Sequence, residues 1–189
     1  MKVWYIHGAN ASPLSFSFIK ANIRPHDIEE IGYGHDIPLS KTVAELRRKA
    51  VLRDGPLAIV GHSLGGVIAA AVAQTADVER VVTLASPFGG SSAAALLQWF
   101  TRSQLMSDIA PSSSVLTSLR MNPPSVPMLS FVTAPGIDTL GEKGDGVVTT
   151  VSQTALIGPT YETVDLNHFE VLLSRDIAQR IDRFLWNSG

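Results

Sequence analysis

The chain has 189 residues and a mass of 20.2 kDa, the size of one domain, and 45% of its residues are hydrophobic, which excludes a disordered chain. Lys and Arg number 15 against 17 Asp and Glu, a net charge of −2, so no basic excess exists to neutralise phosphates and nucleic acid is not an expected partner. Cysteine is absent, which excludes disulfides, thiolate metal sites and a Cys nucleophile.

The opening Met1-Lys2-Val3-Trp4-Tyr5-Ile6-His7-Gly8 reads as a strand over 3–6 closed by a glycine turn. It lacks the order of a secretory leader, so a cytoplasmic location is the expectation. Ser12 and Pro13 mark the cap and first turn of a helix over 13–23. A weak strand over 28–33 carries Glu29 and Glu30, which suit a sheet edge. Ser40 opens a helix over 41–53 with Val43, Leu46, Ala50 and Val51 on one face. Residues 57–60 are continuously apolar, the pattern of a buried parallel strand, and lead through a turn over 61–66 into an Ala-rich helix over 67–75. A buried strand over 81–85 follows, then helices over 91–100 and 113–121. A strand over 126–132 begins near Pro127, a short last strand spans 163–165, and an amphipathic helix over 169–186 closes the chain. The least regular segments are 101–111 and 133–146.

This alternation of strands and helices predicts an α/β architecture, a mostly parallel sheet covered on both faces, in one domain over 1–189. Two uncharged stretches, 55–76 and 81–101, have the length of a bilayer span. Both contain Pro, Gly and Ser and read as strand, turn and helix, so no transmembrane segment is expected.

The sharpest local signal is G-x-S-x-G in Gly61-His62-Ser63-Leu64-Gly65, set between the apolar strand and the Ala-rich helix. A Ser in a tight strand-to-helix turn projects its hydroxyl clear of the sheet. Gly61 and Gly65 lack the Cβ that would block the turn, and the helix aims its first amides at the same point. The bland alternative is a capping Ser in a glycine-rich turn. A Ser nucleophile needs a base, and the base needs an orienting acid. His168, between the last strand and the last helix, stands where an α/β sheet displays its site. His7 reads as a turn or wall residue, His26 as a solvated surface residue, His35 as a loop residue and His62 as a packing residue. The acid must lie between Ser63 and His168. Asp77 and Glu79 face the wrong end of the sheet, and Asp108 lies in an irregular segment. Asp145, flanked by Gly144 and Gly146, is favoured over Asp138 and Asp165, with a solvated turn Asp as the alternative.

Gly61-His62-Ser63-Leu64-Gly65-Gly66, Asp145-Gly146-Val147-Val148 and Asn167-His168-Phe169-Glu170, in that order, resemble the bacterial lipase and esterase branch of the α/β-hydrolase superfamily. Ile6-His7-Gly8-Ala9 is similar to that branch's strand-end His-Gly segment, and the stretch from Ala85 to Ser91 to its Pro–Gly–Ser stretch. The resemblance implies a minimal α/β-hydrolase fold without a large cap, with Ala9 and Leu64 supplying two oxyanion amides. It leaves only 91–124 as a small lid or flap. Trp99, Phe100 and Met106 there, with His62, are candidate substrate-binding residues, and Trp99 and Phe100 suit a helix core equally well. Some members of the superfamily hold a calcium ion near the base. No full set of oxygen ligands is identifiable here, so neither metal nor cofactor is expected. The implied function is a serine esterase or lipase with Ser63, Asp145 and His168 as triad, acting on a small-molecule ester or a lipid. An acyltransferase, a thioesterase and a non-catalytic ligand-binding member of the fold are the alternatives.

Overall fold

The computed structural model describes residues 1–34, 36–90, 108–139 and 141–186. The helix expected over 91–100, together with His35, Trp99, Phe100 and Met106, lies outside the described residues.

Six parallel strands form the central sheet: β1 (Lys2–Ile6), β2 (Asp27–Ile31), β3 (Leu57–His62), β4 (Arg80–Leu84), β5 (Met128–Thr133) and β8 (Thr160–Val164). Their order is β2-β1-β3-β4-β5-β8, which places β3 inside the sheet. Every residue of β3 is buried, as its unbroken apolar run requires. Successive side chains leave a strand on opposite faces, and two cores result. Trp4, Ile6, Leu57 and Ile59 pack against α2 (Leu39–Val51), α3 (Leu64–Ala73) and α4 (Ser114–Met121). Val3, Tyr5, Ala58 and Val60 pack on the other face with Ile19 of α1 (Ser17–Ala21) and with Ile177 and Ile181 of α6 (Arg175–Trp186). Among the described residues, no helix is long and apolar enough to cross a membrane.

Several boundaries differ from the sequence reading, each for a local reason. The helix expected over 13–23 divides into a 3-10 turn, Pro13–Phe16, and α1, which ends where the Asn22 side chain bonds the Phe18 carbonyl. Helix α2 begins at Leu39, not after a Ser40 cap, because Asp108 accepts the Leu39 N–H at 3.0 Å. Val43, Leu46 and Ala50 of α2 are buried, whereas Val51 points to solvent. The closing segment is a 3-10 turn, Glu170–Leu172, followed by α6, whose Ile177 N–H bonds the Ser174 hydroxyl. Within the stretch read as irregular, β6 (Ile137–Thr139) and β7 (Glu142–Gly144) form a hairpin, followed by α5 (Thr150–Gln153). Strand β2 is an edge, as Glu29 and Glu30 suggested.

Helix α3 approaches β1 and β3 so closely that two glycines are obligatory. A Cβ on Gly65 would stand 2.0 Å from the Ile6 carbonyl oxygen, and one on Gly61 2.4 Å from that of Gly65. Backbone, unlike a flexible side chain, cannot step aside. Gly65→Ala is expected to cost about 3 kcal/mol or more, a fall in Tm of roughly 6 °C or more for a chain of this size. Gly32→Ala, which meets nothing within 4 Å, should leave Tm unlowered. Equal falls in thermal melts of the two variants would show that the close approach is not the cause.

Candidate active site

Ser63 follows β3 directly and serves as the N-cap of α3 with φ 52 and ψ −122. A non-glycine in that region costs of order 1–3 kcal/mol and persists only where its surroundings hold it. Here the Ser63 N–H bonds the Leu84 carbonyl at 2.8 Å, and the Ser63 carbonyl accepts the Gly66 N–H at 3.0 Å. Among the described residues, the other positive-φ non-glycines are Asn10 and Ala85. Asn10 lines the same cavity as Ser63, and Ala85 directly follows Leu84, the residue that anchors the turn.

That cavity has a volume of about 260 Å3 and opens at the carboxyl edge of the sheet. Ala9, His62, Ser63, Val147, His168 and Phe169 are among the residues that line it. Larger grooves lie elsewhere, such as one of about 620 Å3 beside β8 and α6. Among the described residues, its lining includes the Arg180–Glu162 ion pair and no Ser or His.

His168 and Asp145 form a buried pair, the ring Nδ1 2.8 Å from Asp145 Oδ2. The His168 N–H also reaches the Asp145 carbonyl at 3.4 Å. Asp145 Oδ1 accepts the amides of Val147 and Val148 at 2.9 and 2.7 Å. Oδ2 accepts from the Thr133 hydroxyl and, at 3.3 Å, from Gln153 Nε2. Burial alone would raise the Asp145 pKa. The hydrogen bond and charge of His168, with the Thr133 hydroxyl and the Val148 amide, outweigh it and hold the carboxyl below its ordinary value. Asp145 is thus ionised and only accepts, so the facing His168 Nδ1 carries a hydrogen and Nε2 is the ring nitrogen left for other partners.

His62, which reads as a packing residue in the sequence, reaches the loop that carries His168 and lines the cavity. Its Nε2–H donates to the His168 carbonyl at 2.8 Å, and the two rings lie 4.9 Å apart. Burial, reinforced by His168, pushes the His62 pKa down to about 3, so the ring is neutral and its tautomer follows from that bond. Leu64 opens α3, so its N–H is one of the first-turn amides without a partner inside the helix. The other carboxylates considered stand apart: Asp138 accepts the Gly141 N–H, Asp165 is exposed and Asp77 lies beside a groove with Glu79 and Pro56. His7 is buried and stacked on Tyr33 at 4.7 Å. His26 is half-buried rather than solvated, because the phenol of Tyr5 reaches its Nε2 at 2.8 Å. Thr133 and Gln153 escaped the sequence reading. A signal existed in Thr133, a polar residue ending an apolar strand, but none marked Gln153.

A family model described as the alpha/beta hydrolase family matches residues 5–173. No curated protein matches the chain. Among solved structures, the mature lipase BlEst2 of Bacillus licheniformis superposes with a TM-score of 0.68 at 20% identity, covering 97% of this chain and 91% of that one. A lipase-esterase related protein of Clostridium acetobutylicum gives 0.69 at 12% identity, covering 97% and 93%. Phospholipase PlaB of Legionella pneumophila in complex with thio-NAD gives 0.73 at 13% identity, covering 100% of this chain and 59% of that one. At these identities the likeness is one of fold.

The buried neutral His62 makes stability depend on pH in a stated direction. Its folded pKa of about 3 lies below the ordinary value of 6.5, so its contribution is complete above pH 6.5 and is lost as pH falls toward 3. Within that window the loss is about 1.4 kcal/mol per pH unit. His62→Gln, which keeps a donor for the His168 carbonyl, is expected to flatten the urea-unfolding free energy between pH 6.5 and 4. Parallel slopes for variant and wild type would contradict this.

Proposed function

The chain belongs to the alpha/beta hydrolase family, and from that premise we propose that it is a serine hydrolase of carboxylic esters. The observation that carries the proposal is the buried Asp145–His168 pair, whose His168 lines the same cavity as the strained Ser63 turn. In this reading Ser63 Oγ attacks the ester carbonyl carbon and gives its proton to His168 Nε2. Asp145 holds Nδ1–H and stabilises the imidazolium. The N–H groups of Ala9 and Leu64 stabilise the oxyanion. Collapse of the tetrahedral intermediate breaks the ester C–O bond, and the alcohol leaves with the proton from Nε2. Water, deprotonated by the same nitrogen, then attacks the acyl-enzyme and releases the acid and free Ser63.

The cavity also supports a substrate class. Among the described residues its lining includes no Lys, Arg, Asp or Glu, and Ala9, Ala11, Val147, Phe169 and Leu172 supply an apolar wall. An uncharged acyl or alcohol group suits it. Its volume of about 260 Å3 falls below the roughly 300–1,000 Å3 of pockets for drug-sized ligands, which favours short to medium esters.

A fluorophosphonate probe followed by peptide mapping tests the nucleophile: label should appear on Ser63 and vanish in Ser63→Ala. An unlabelled wild type would favour a ligand-binding role instead. Turnover of one soluble ester by single variants tests the acid. Asp145→Asn should lose about 10⁴ in kcat through the wrong His tautomer, while Asp138→Asn and Asp165→Asn stay near wild type. Collapse of Asp138→Asn with a healthy Asp145→Asn would move the role. For substrate size, the rate on a short ester is expected to rise smoothly through its solubility limit. A sharp jump at that limit would indicate activation at a lipid interface.

A further inference from the structure

Gln153 is almost fully buried at the end of α5, beside the last residue of β5. Its side-chain amide is oriented by the backbone of Thr133 on both sides. The Thr133 N–H needs an acceptor and finds Gln153 Oε1 at 2.9 Å. The Thr133 carbonyl needs a donor and takes Nε2–H at 3.0 Å. The amide can therefore face only one way, and in that orientation it closes the end of β5 as a neighbouring strand would. The same Nε2 lies 3.3 Å from Asp145 Oδ2 and 3.3 Å from the Val148 carbonyl. The Thr133 hydroxyl has one proton and two acceptors, Asp145 Oδ2 and, at 3.2 Å, Gln153 Oε1; the shorter contact is to Asp145.

The other groups facing the carboxylate are His168 and His62 and the amides of Val147 and Val148. Helix α5 is itself fixed from behind. Ser152 donates its hydroxyl to the Gly90 carbonyl, and its own carbonyl accepts the Gly89 N–H at 2.9 Å. Gln153 thus stands between the segment after β4 and the acid.

We propose that Gln153 is a positioning residue for the hydrolytic reaction: its backbone-locked amide holds the Asp145 carboxylate in the plane and at the distance that orient His168. The proposal rests on the serine-hydrolase reading above. Gln153 touches no reacting atom and acts through Asp145. Its neutral donor steadies the carboxylate without adding charge beside the His168–Asp145 pair.

Gln153→Glu tests this, because the new carboxyl keeps the shape but must face Asp145 Oδ2, the Thr133 carbonyl and the Val148 carbonyl, all acceptors. Protonated, it has one donor hydrogen where the amide has two, so acceptors around it lose their partner; ionised, it sets a second negative charge beside the pair. Where the new carboxyl is ionised, the His168 titration, followed by NMR of its ring Cε1–H, should move up from the wild-type midpoint by roughly one pH unit. The acid limb of kcat/KM should move with it. At neutral pH kcat should fall at least roughly tenfold, a transition-state loss, while KM stays near wild type. Gln153→Met, similar in length but without donor or acceptor, should lower kcat with the same KM pattern in protein shown to be folded.

An unchanged His168 titration together with wild-type kcat in either folded variant overturns the proposal. So does failure of both variants to fold where the wild type does, since Gln153 would then be structural only. The NMR titration needs no substrate. It therefore still reports on Gln153 if Ser63 proves unlabelled by the fluorophosphonate probe, the result that removes the ester reading alone.

Discussion

The first turn of α3 lies against the ends of β1 and β3 with no space for a Cβ, and the geometry of the cavity follows from that contact. Because the Gly65 backbone rests beside the Ile6 and His7 carbonyls, the chain must turn at Ser63 in a conformation that side chains avoid. The turn survives because main-chain groups on both sides hold it: Leu84 of β4 accepts the Ser63 N–H, and Gly66 donates to the Ser63 carbonyl. The residue at the tip is exposed to the cavity as a consequence of packing behind it. Overpacked glycines and a strained serine are thus one feature seen from two sides.

A carboxylate taken out of water is costly unless its lone pairs are satisfied. Asp145 meets that condition with two backbone amides on one oxygen and three side-chain donors on the other, and its pKa is held low despite burial. The hairpin β6–β7 contributes to the same end. Thr139 on it accepts the Gly146 N–H at 3.0 Å, which sets the bend that turns Val147 and Val148 toward the acid. A segment that looks irregular in sequence therefore has a definite task, the delivery of amides to one oxygen.

What the sequence made legible was local. Strand β3 could be read because residues 57–60 are continuously apolar, and the turn after it because its glycines and serine are neighbours in the chain. The sheet edge at β2 could be read from two glutamates. Ser63, Asp145 and His168 could be singled out from chain order and flanking glycines. The illegible parts depend on distant partners. Nothing near Leu39 announces that Asp108 will accept its N–H, so the start of α2 was misplaced. His62 and the His168 carbonyl are 106 positions apart, and a residue that reads as packing turns out to bond the loop that carries His168. Gln153 looks like any polar residue of a short helix until Thr133 is placed beside it.

The edge position of β8 has a consequence for motion. Among the described residues it pairs only with β5, and its residues are half-buried or exposed, features that let a strand open locally at low free energy. His168 follows this strand, yet its moorings run inward. Its carbonyl is held by His62 of β3, its N–H by the Asp145 carbonyl and its ring by the Asp145 carboxylate. These bonds tie the imidazole to the interior of the sheet rather than to the outer strand.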